Sequence, residues 1–302
     1  MKTPPSGEQF ALVHGDLRAT VVGVGAGLRA FAAGDREILD GYGPDEMCSS
    51  GRGQVLMPWP NRIEDGAYTL DGREHRLPLT EPEARNAIHG LVRWDAWTAR
   101  ERTAERVVLA HVLHPQPGYP FTLDLEVDYA LSTDGLTVRT RATNLGRDAS
   151  PFGAGNHPYL RAGSGLVDGL VLRVPASTVL DTDERGIPTG SAPVEERGLD
   201  FREPRTIGDT VLDNAFTGLE RDADGLARVE LEGPAGDRTV LWVDEAYGFL
   251  QAFTGDPLPD VARRSLAVEP MTCPANAFRT GEALVRLEPG ASWTGAWGID
   301  PT

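Results

Sequence analysis

The sequence predicts an all-β fold, a large antiparallel sandwich or barrel, on three observations. Phe121, Leu123, Leu125, Val127, Tyr129 and Leu131 are apolar, while Thr122, Asp124, Glu126 and Asp128 fill the places between them. That alternation is the period of a half-buried strand. The 35 glycines and 23 prolines are spread along all 302 residues, which fits short strands joined by frequent turns. No window of helix length keeps apolar residues at i, i+3, i+4 and i+7 between recognisable caps.

In chain order, the first expected strand is 19–24. A hairpin follows, with Asp71-Gly72 as the turn between Ala67-Tyr68-Thr69-Leu70 and Arg73-Glu74-His75-Arg76-Leu77. A strand at 107–113 precedes the alternating segment 121–131. After Ser132-Thr133-Asp134-Gly135 the alternation resumes with Leu136, Val138, Thr140 and Ala142 against Thr137, Arg139 and Arg141, as a return strand requires. Further strands are expected at 166–174, 238–243, 249–253 and 284–288. No composition shift, fixed-period repeat or low-complexity tract marks a linker, so residues 1–302 read as one domain.

Composition narrows the function. Twenty-nine basic residues against 45 acidic ones leave a formal charge of −16, which opposes the phosphate attraction behind nucleic-acid binding. No apolar run approaches membrane-span length. Lys2 is the only lysine, which argues against Schiff-base enzymes and P-loop NTPases, since both need a positioned lysine amine. Cys48 and Cys273 form neither a disulfide framework nor a zinc-site spacing. The one segment resembling a secretory signal, 19–33, follows Asp16 and Arg18 and is broken by Arg29. A cytoplasmic protein is expected.

Two motifs read as structural. In Gly23-Val24-Gly25-Ala26-Gly27 the third glycine of a dinucleotide fingerprint would fall on Leu28, and no helix pattern follows, so this is a glycine-rich strand end. His111 and His114 are three apart, on opposite faces of a strand, and no metal is expected there.

Four segments point to chemistry. Met57-Pro58-Trp59-Pro60 stiffens a backbone that then presents Asn61 and Arg62. Asn86-Ala87-Ile88-His89-Gly90-Leu91-Val92-Arg93-Trp94 sets a histidine against a glycine beside an aromatic. In Gly153-Ala154-Gly155-Asn156-His157-Pro158-Tyr159-Leu160, Pro158 biases His157 towards extended backbone. Leu266-Ala267-Val268-Glu269-Pro270 ends an apolar run on a carboxylate, where burial raises a pKa and makes a general-base candidate. With Asp213, these residues suit proton transfer on a polyhydroxylated substrate. Six tryptophans offer apolar faces for a sugar ring, with one or two expected to line a site and the rest to be core.

At these residues the chain resembles the aldose 1-epimerase (galactose mutarotase) family. The similarity runs in order from Asn61-Arg62, Gly66-x-Tyr68 and the Asp71-Gly72 turn through His89-Gly90, Gly118-Tyr119-Pro120 and Asn156-His157-Pro158-Tyr159. It continues to Asp213, Gln251 and Glu269-Pro270 with Asn276-Ala277-Phe278. The resemblance implies one large β-sandwich, a galactose mutarotase-like supersandwich, with an open cleft on one sheet. It implies Glu269 as the base that takes the proton from the C1 hydroxyl and His157 as the acid that protonates the ring oxygen. It also implies His89 as a second histidine near that oxygen, and Arg62, Asp213 and Gln251 as hydrogen-bond partners of sugar hydroxyls. Asn61 and Trp94 complete the expected binding set. Neither cofactor nor metal is implied, because the substrate carries its own latent carbonyl.

The Pro-Tyr-Leu after His157 departs from the Ser-Tyr-Phe-like run of galactose-type members. A neutral aldohexose is placed first as substrate. Phosphorylated or sulfonated sugars would need an added cationic pocket. Two rivals remain: a glycoside hydrolase using Asp213 with Glu269, and a non-catalytic carbohydrate-binding protein on the same fold. Release of nitrophenol from aryl glycosides would mark the first, and sugar affinity without a change in anomerisation rate the second.

Overall fold

Alternating apolar residues make strands that must bury one face, and here two large sheets bury theirs against each other. The computed structural model describes residues 3–258 and 261–302; Lys2 lies outside them. One sheet has nine strands in the order Thr98–Arg102, Arg106–Leu113, Leu123–Ser132, Gly135–Asn144, Ser292–Asp300, Arg238–Val243, Ala227–Glu232, Val171–Arg173 and Arg205–Thr206. Its neighbours are antiparallel throughout. The other runs Pro188–Pro193, Ala176–Thr182, Asp213–Leu219, Phe249–Phe253, Leu266–Met271, Gly155–Asn156 and Val55–Leu56, with Tyr159–Leu160 also paired to 266–271. A four-stranded sheet formed by residues 9–37 and three two-stranded ribbons complete the sandwich. The α-helix among the described residues is a single turn, Ala277–Thr280.

The expected alternation is realised where it was sharpest. Leu123, Leu125, Val127, Tyr129 and Leu131 are at most 5% exposed, and Ser132 pairs with Gly135 across the turn. Fully burying a side chain of this size contributes roughly 1.5–3 kcal/mol, so this one strand is a major part of the core. The two large sheets share that core: Val127 and Ile299 from one belong to the same buried cluster as Phe216, Leu250 and Val268 from the other. A hydrogen bond also crosses between them, from Trp297 Nε1 to Asn156 Oδ1 at 3.0 Å.

The segment 166–174 departs from expectation: Val167–Gly169 forms a 3₁₀ turn and only Val171–Arg173 is a strand. Asp168-Gly169 breaks the run, as a turn-forming pair does. The ribbon Ala67–Leu70 with Arg73–Arg76 forms as expected, and Gly23–Gly27 follows the end of Leu17–Val22. His111 lies on Arg106–Leu113 while His114 falls beyond its end, and His111 Nε2 instead meets Asp95 at 3.2 Å. No helix among the described residues is long and apolar enough to cross a membrane.

Candidate active site

In the eight-stranded sheet, alternation is used to aim polar groups away from the sandwich core. Leu250 and Ala252 point into the core, so Gln251 points out. Leu266 and Val268 do the same on the neighbouring strand, so Glu269 points out beside Gln251, its direct register partner. Asp213 Oδ1 accepts a 2.7 Å bond from Gln251 Nε2. The next chain segment enters through Gly155, paired to Leu56 and Met271, and places His157 beside Glu269. Their Nε2 and Oε1 atoms are 3.3 Å apart.

Asn61 and His89 come from the other wall. Both have positive φ, 53° and 63°, and they bond reciprocally: the Asn61 amide donates to His89 Nδ1 at 3.2 Å, and the His89 amide donates to the Asn61 carbonyl at 2.9 Å. Gly90, at φ 72°, is required because a Cβ there would collide with the Met57 carbonyl. Arg62 is fixed by a two-pronged ion pair to Glu81, at 2.8 and 2.9 Å. Its guanidinium lies where a side chain on Gly186 would intrude, 2.6 Å from Nη1.

Together these groups line a cavity of about 380 Å³. It contains every residue expected from sequence: Glu269, His157, His89, Arg62, Asn61, Asp213, Gln251 and Trp94. Trp94 is half exposed at the lip, whereas Trp59, Trp97 and Trp297 are core.

The electrostatics are unusual for a surface cleft. Glu269 is 3% exposed and His157 5%. Burial, reinforced by the Asp213 carboxylate and opposed by Arg62, holds Glu269 well above the usual carboxylate range. Burial lowers His157 to about 3, with Arg93 and Arg52 acting in the same direction. Burial also keeps His89 neutral, with His157 adding to the effect. Glu269 Oε2, His157 Nδ1 and Asn61 Oδ1 have no hydrogen-bond partner among the described residues. Buried polar groups are almost always paired, so three orphans in one cavity call for a ligand or a catalytic role.

Donor atoms of His89, His157 and Glu269 lie within 4.8 Å of one another, yet the set does not suit a metal. A metal-bound histidine donates its remote N–H to a neighbour. His89 Nδ1 instead accepts the Asn61 amide, which leaves the ring proton on Nε2. Chemically, an adjacent carboxyl and imidazole of this kind can exchange protons with a ligand, and the polar groups around them can hydrogen-bond hydroxyls.

Comparison with known proteins places the sequence and the fold. The sequence model of the family described as aldose 1-epimerase matches residues 8–299. The chain belongs to this family. It is 38% identical over 287 residues to the uncharacterized protein YihR of Escherichia coli (strain K12), covering 94% of this chain and 90% of that one. It is 30% identical over 240 residues to human galactose mutarotase, covering 72% and 68%. Among solved structures, the GalM/aldose epimerase homologue from C. elegans superposes with a TM-score of 0.86 at 18% identity, over 98% of this chain and 99% of that one. The galactose 1-epimerase of Lactobacillus acidophilus NCFM does so at 0.80 and 21% identity, over 96% and 93%. The galactose mutarotase-like fold is thereby shown.

Within this aldose 1-epimerase fold the cavity also holds residues that sequence reasoning did not single out. Tyr159 stacks on His157, with centroids 4.9 Å apart and planes 10° off parallel. Its spacing of two from His157 on extended backbone was the available signal. Glu81 carried none, because its role depends on Arg62 from another segment. Gln54 and Arg93 bond to each other at 3.4 Å in the lining.

Proposed function

We propose that this protein is an aldose 1-epimerase that interconverts the α and β anomers of an aldohexose by ring opening and reclosure. One observation carries the reading: a buried carboxylate and a buried imidazole stand 3.3 Å apart, facing one cavity. That separation suits the two oxygens bonded to a single hemiacetal carbon. Glu269 takes the C1 hydroxyl proton while His157 gives one to the ring oxygen, and the C1–O5 bond breaks to leave the aldehyde. Rotation about C1–C2 and reversal of both transfers close the other anomer. Burial favours the uncharged arrangement at rest, protonated Glu269 with neutral His157, so the pair's one mobile proton first crosses the 3.3 Å contact to the imidazole, and ring opening runs from ionised Glu269 and protonated His157. His89 donates its Nε2–H towards the ring oxygen. Arg62, Asp213, Gln251 and Asn61 hold the hydroxyls, and Trp94 covers one edge. A cytoplasmic setting accompanies this reading, with Cys48 and Cys273 both free.

A second reading, a hexose bearing an anionic group, is favoured by Arg93. Its guanidinium lines the cavity and bonds the neutral amide of Gln54, with no carboxylate in ion-pairing reach among the described residues. Exchange spectroscopy between anomeric proton resonances tests both readings, with D-glucose, D-galactose and a hexose 6-phosphate as substrates. Acceleration of a neutral sugar supports the first. Acceleration of the phosphate alone, lost in Arg93→Gln, supports the second. Acceleration of none contradicts both.

A further inference from the structure

Arg52 is a charged side chain only 4% exposed, and it lies outside the cavity lining. It sits in the turn that wraps His157: the Gly53 amide donates to the His157 carbonyl at 2.9 Å, and the His157 amide donates to the Gln54 carbonyl at 3.1 Å. Gly51, in the same turn, packs so closely that a Cβ would stand 2.7 Å from His157 Cδ2. The Arg52 guanidinium lies over the Tyr159 ring, 4.9 Å from its centroid, and that ring is the one stacked on His157. A cation, a phenol and the imidazole are thus in contact in series.

The charge is incompletely compensated. Nη1 bonds Ser49, while Nε and Nη2 have no hydrogen bond among the described residues. The nearest carboxylate, Asp40, is 3.7 Å from Nη2. Asp40 is already engaged by Arg264 at 2.7 and 3.0 Å and by Ser265 at 3.0 Å. Two guanidinium groups share one carboxylate; Arg264 is partly exposed, whereas Arg52, buried behind the Tyr159–His157 stack, meets that carboxylate only at 3.7 Å. A buried charge without full pairing is expensive, so its retention beside the acid–base pair calls for an explanation.

We propose that Arg52 is a positioning residue for the acid–base step, a buried cation that biases the mobile proton of the His157–Glu269 pair away from the imidazole. The inference rests on the functional reading above. Other charged or titratable groups lie around His157 on each packed element: Glu269 from the 266–271 strand, His89 from the turn after Asn86–Ile88 and Tyr159 from its own segment, with Cys48 and Arg93 in the same cavity lining. Arg93 acts in the same direction but lines the cavity, so only Arg52 separates the electrostatic effect from substrate contact. With Arg52 neutralised, the imidazole holds a proton more readily, and both limbs of the pH–kcat/KM profile move to higher pH.

The test is ¹³Cε1 NMR titration of His157, assigned with His157→Asn, in wild type, Arg52→Met and Arg52→Lys, alongside pH–rate profiles. His157 should remain neutral in wild type down to the acid limit of folding. Arg52→Met should protonate at higher pH by on the order of one unit, and Arg52→Lys should restore the wild-type curve. Arg52→Gln, which removes the charge but keeps a polar side chain of similar reach, should shift protonation the same way as Arg52→Met and serves if Arg52→Met does not fold. Superimposable titrations, or an imidazolium in the wild type at neutral pH, would overturn the inference even with turnover intact. The NMR readout needs no turnover, so titrations that shift in a protein that epimerises no sugar would instead count against the functional reading.

Discussion

Two strand pairs with the same antiparallel geometry treat their polar residues in opposite ways. In the hairpin Leu123–Ser132 with Gly135–Asn144, the acids Asp124, Glu126 and Asp128 lie on the outer face and are neutralised by neighbours. Arg100 reaches Asp124 and Glu126, and Arg106 grips Asp128 at 2.9 and 3.0 Å. In the pair Phe249–Phe253 with Leu266–Met271, Gln251 and Glu269 face a cavity, and Glu269 is left with one oxygen unpaired and its proton held by burial. The first arrangement serves the fold and the second opposes it. Chemistry is to be sought where the sheet leaves polar groups incompletely paired.

The acid–base pair is where a single substitution has the largest effect. Replacing His157 by Asn should slow anomerisation by about 10²–10⁴ with the fold retained, measured by polarimetry and circular dichroism. Next, Leu125→Ala in the hairpin should destabilise by about 2–5 kcal/mol in denaturant titration while a folded sample keeps its kcat. Smaller, and opposite in sign, is the effect of Glu269→Gln on stability. The folded carboxyl holds its proton to higher pH than the unfolded one, so wild-type stability falls as pH rises from about 4.3 until Glu269 ionises in the fold. The Gln variant lacks this loss, and its stability advantage should widen across that window. A gap independent of pH would contradict the raised Glu269. Smallest is Arg106→Ala on the outer face, expected to cost at most about 1 kcal/mol and to leave turnover unchanged.

The same contrast decides what was legible in the sequence. The 121–131 alternation was visible because one face is solvated. The strand Leu266–Met271 is buried on both faces, so it has no alternation, and Pro270 argues against a central strand. Its apolar run showed a buried carboxylate without showing a strand. Ser292–Asp300 was hidden by Gly295 and Gly298, which read as breaks. Trp293 packs over the first and Trp242 over the second, so bulk from neighbouring positions fills the space a side chain would take. All eight expected site residues share the cavity because ordered motifs carried them. Glu81 and Arg52 required the fold, since each acts through a partner distant in sequence, whereas the two-residue spacing of Tyr159 from His157 pointed to a shared face.

Glu269, buried and incompletely paired, is the residue we propose as the base of an anomer exchange. Polarimetry of freshly dissolved α-D-glucose and α-D-galactose with wild type, Glu269→Gln and Arg106→Ala tests it in one experiment. Acceleration over the spontaneous rate by wild type and Arg106→Ala, and its loss in folded Glu269→Gln, is the expected result. Undiminished acceleration by Glu269→Gln would contradict the account.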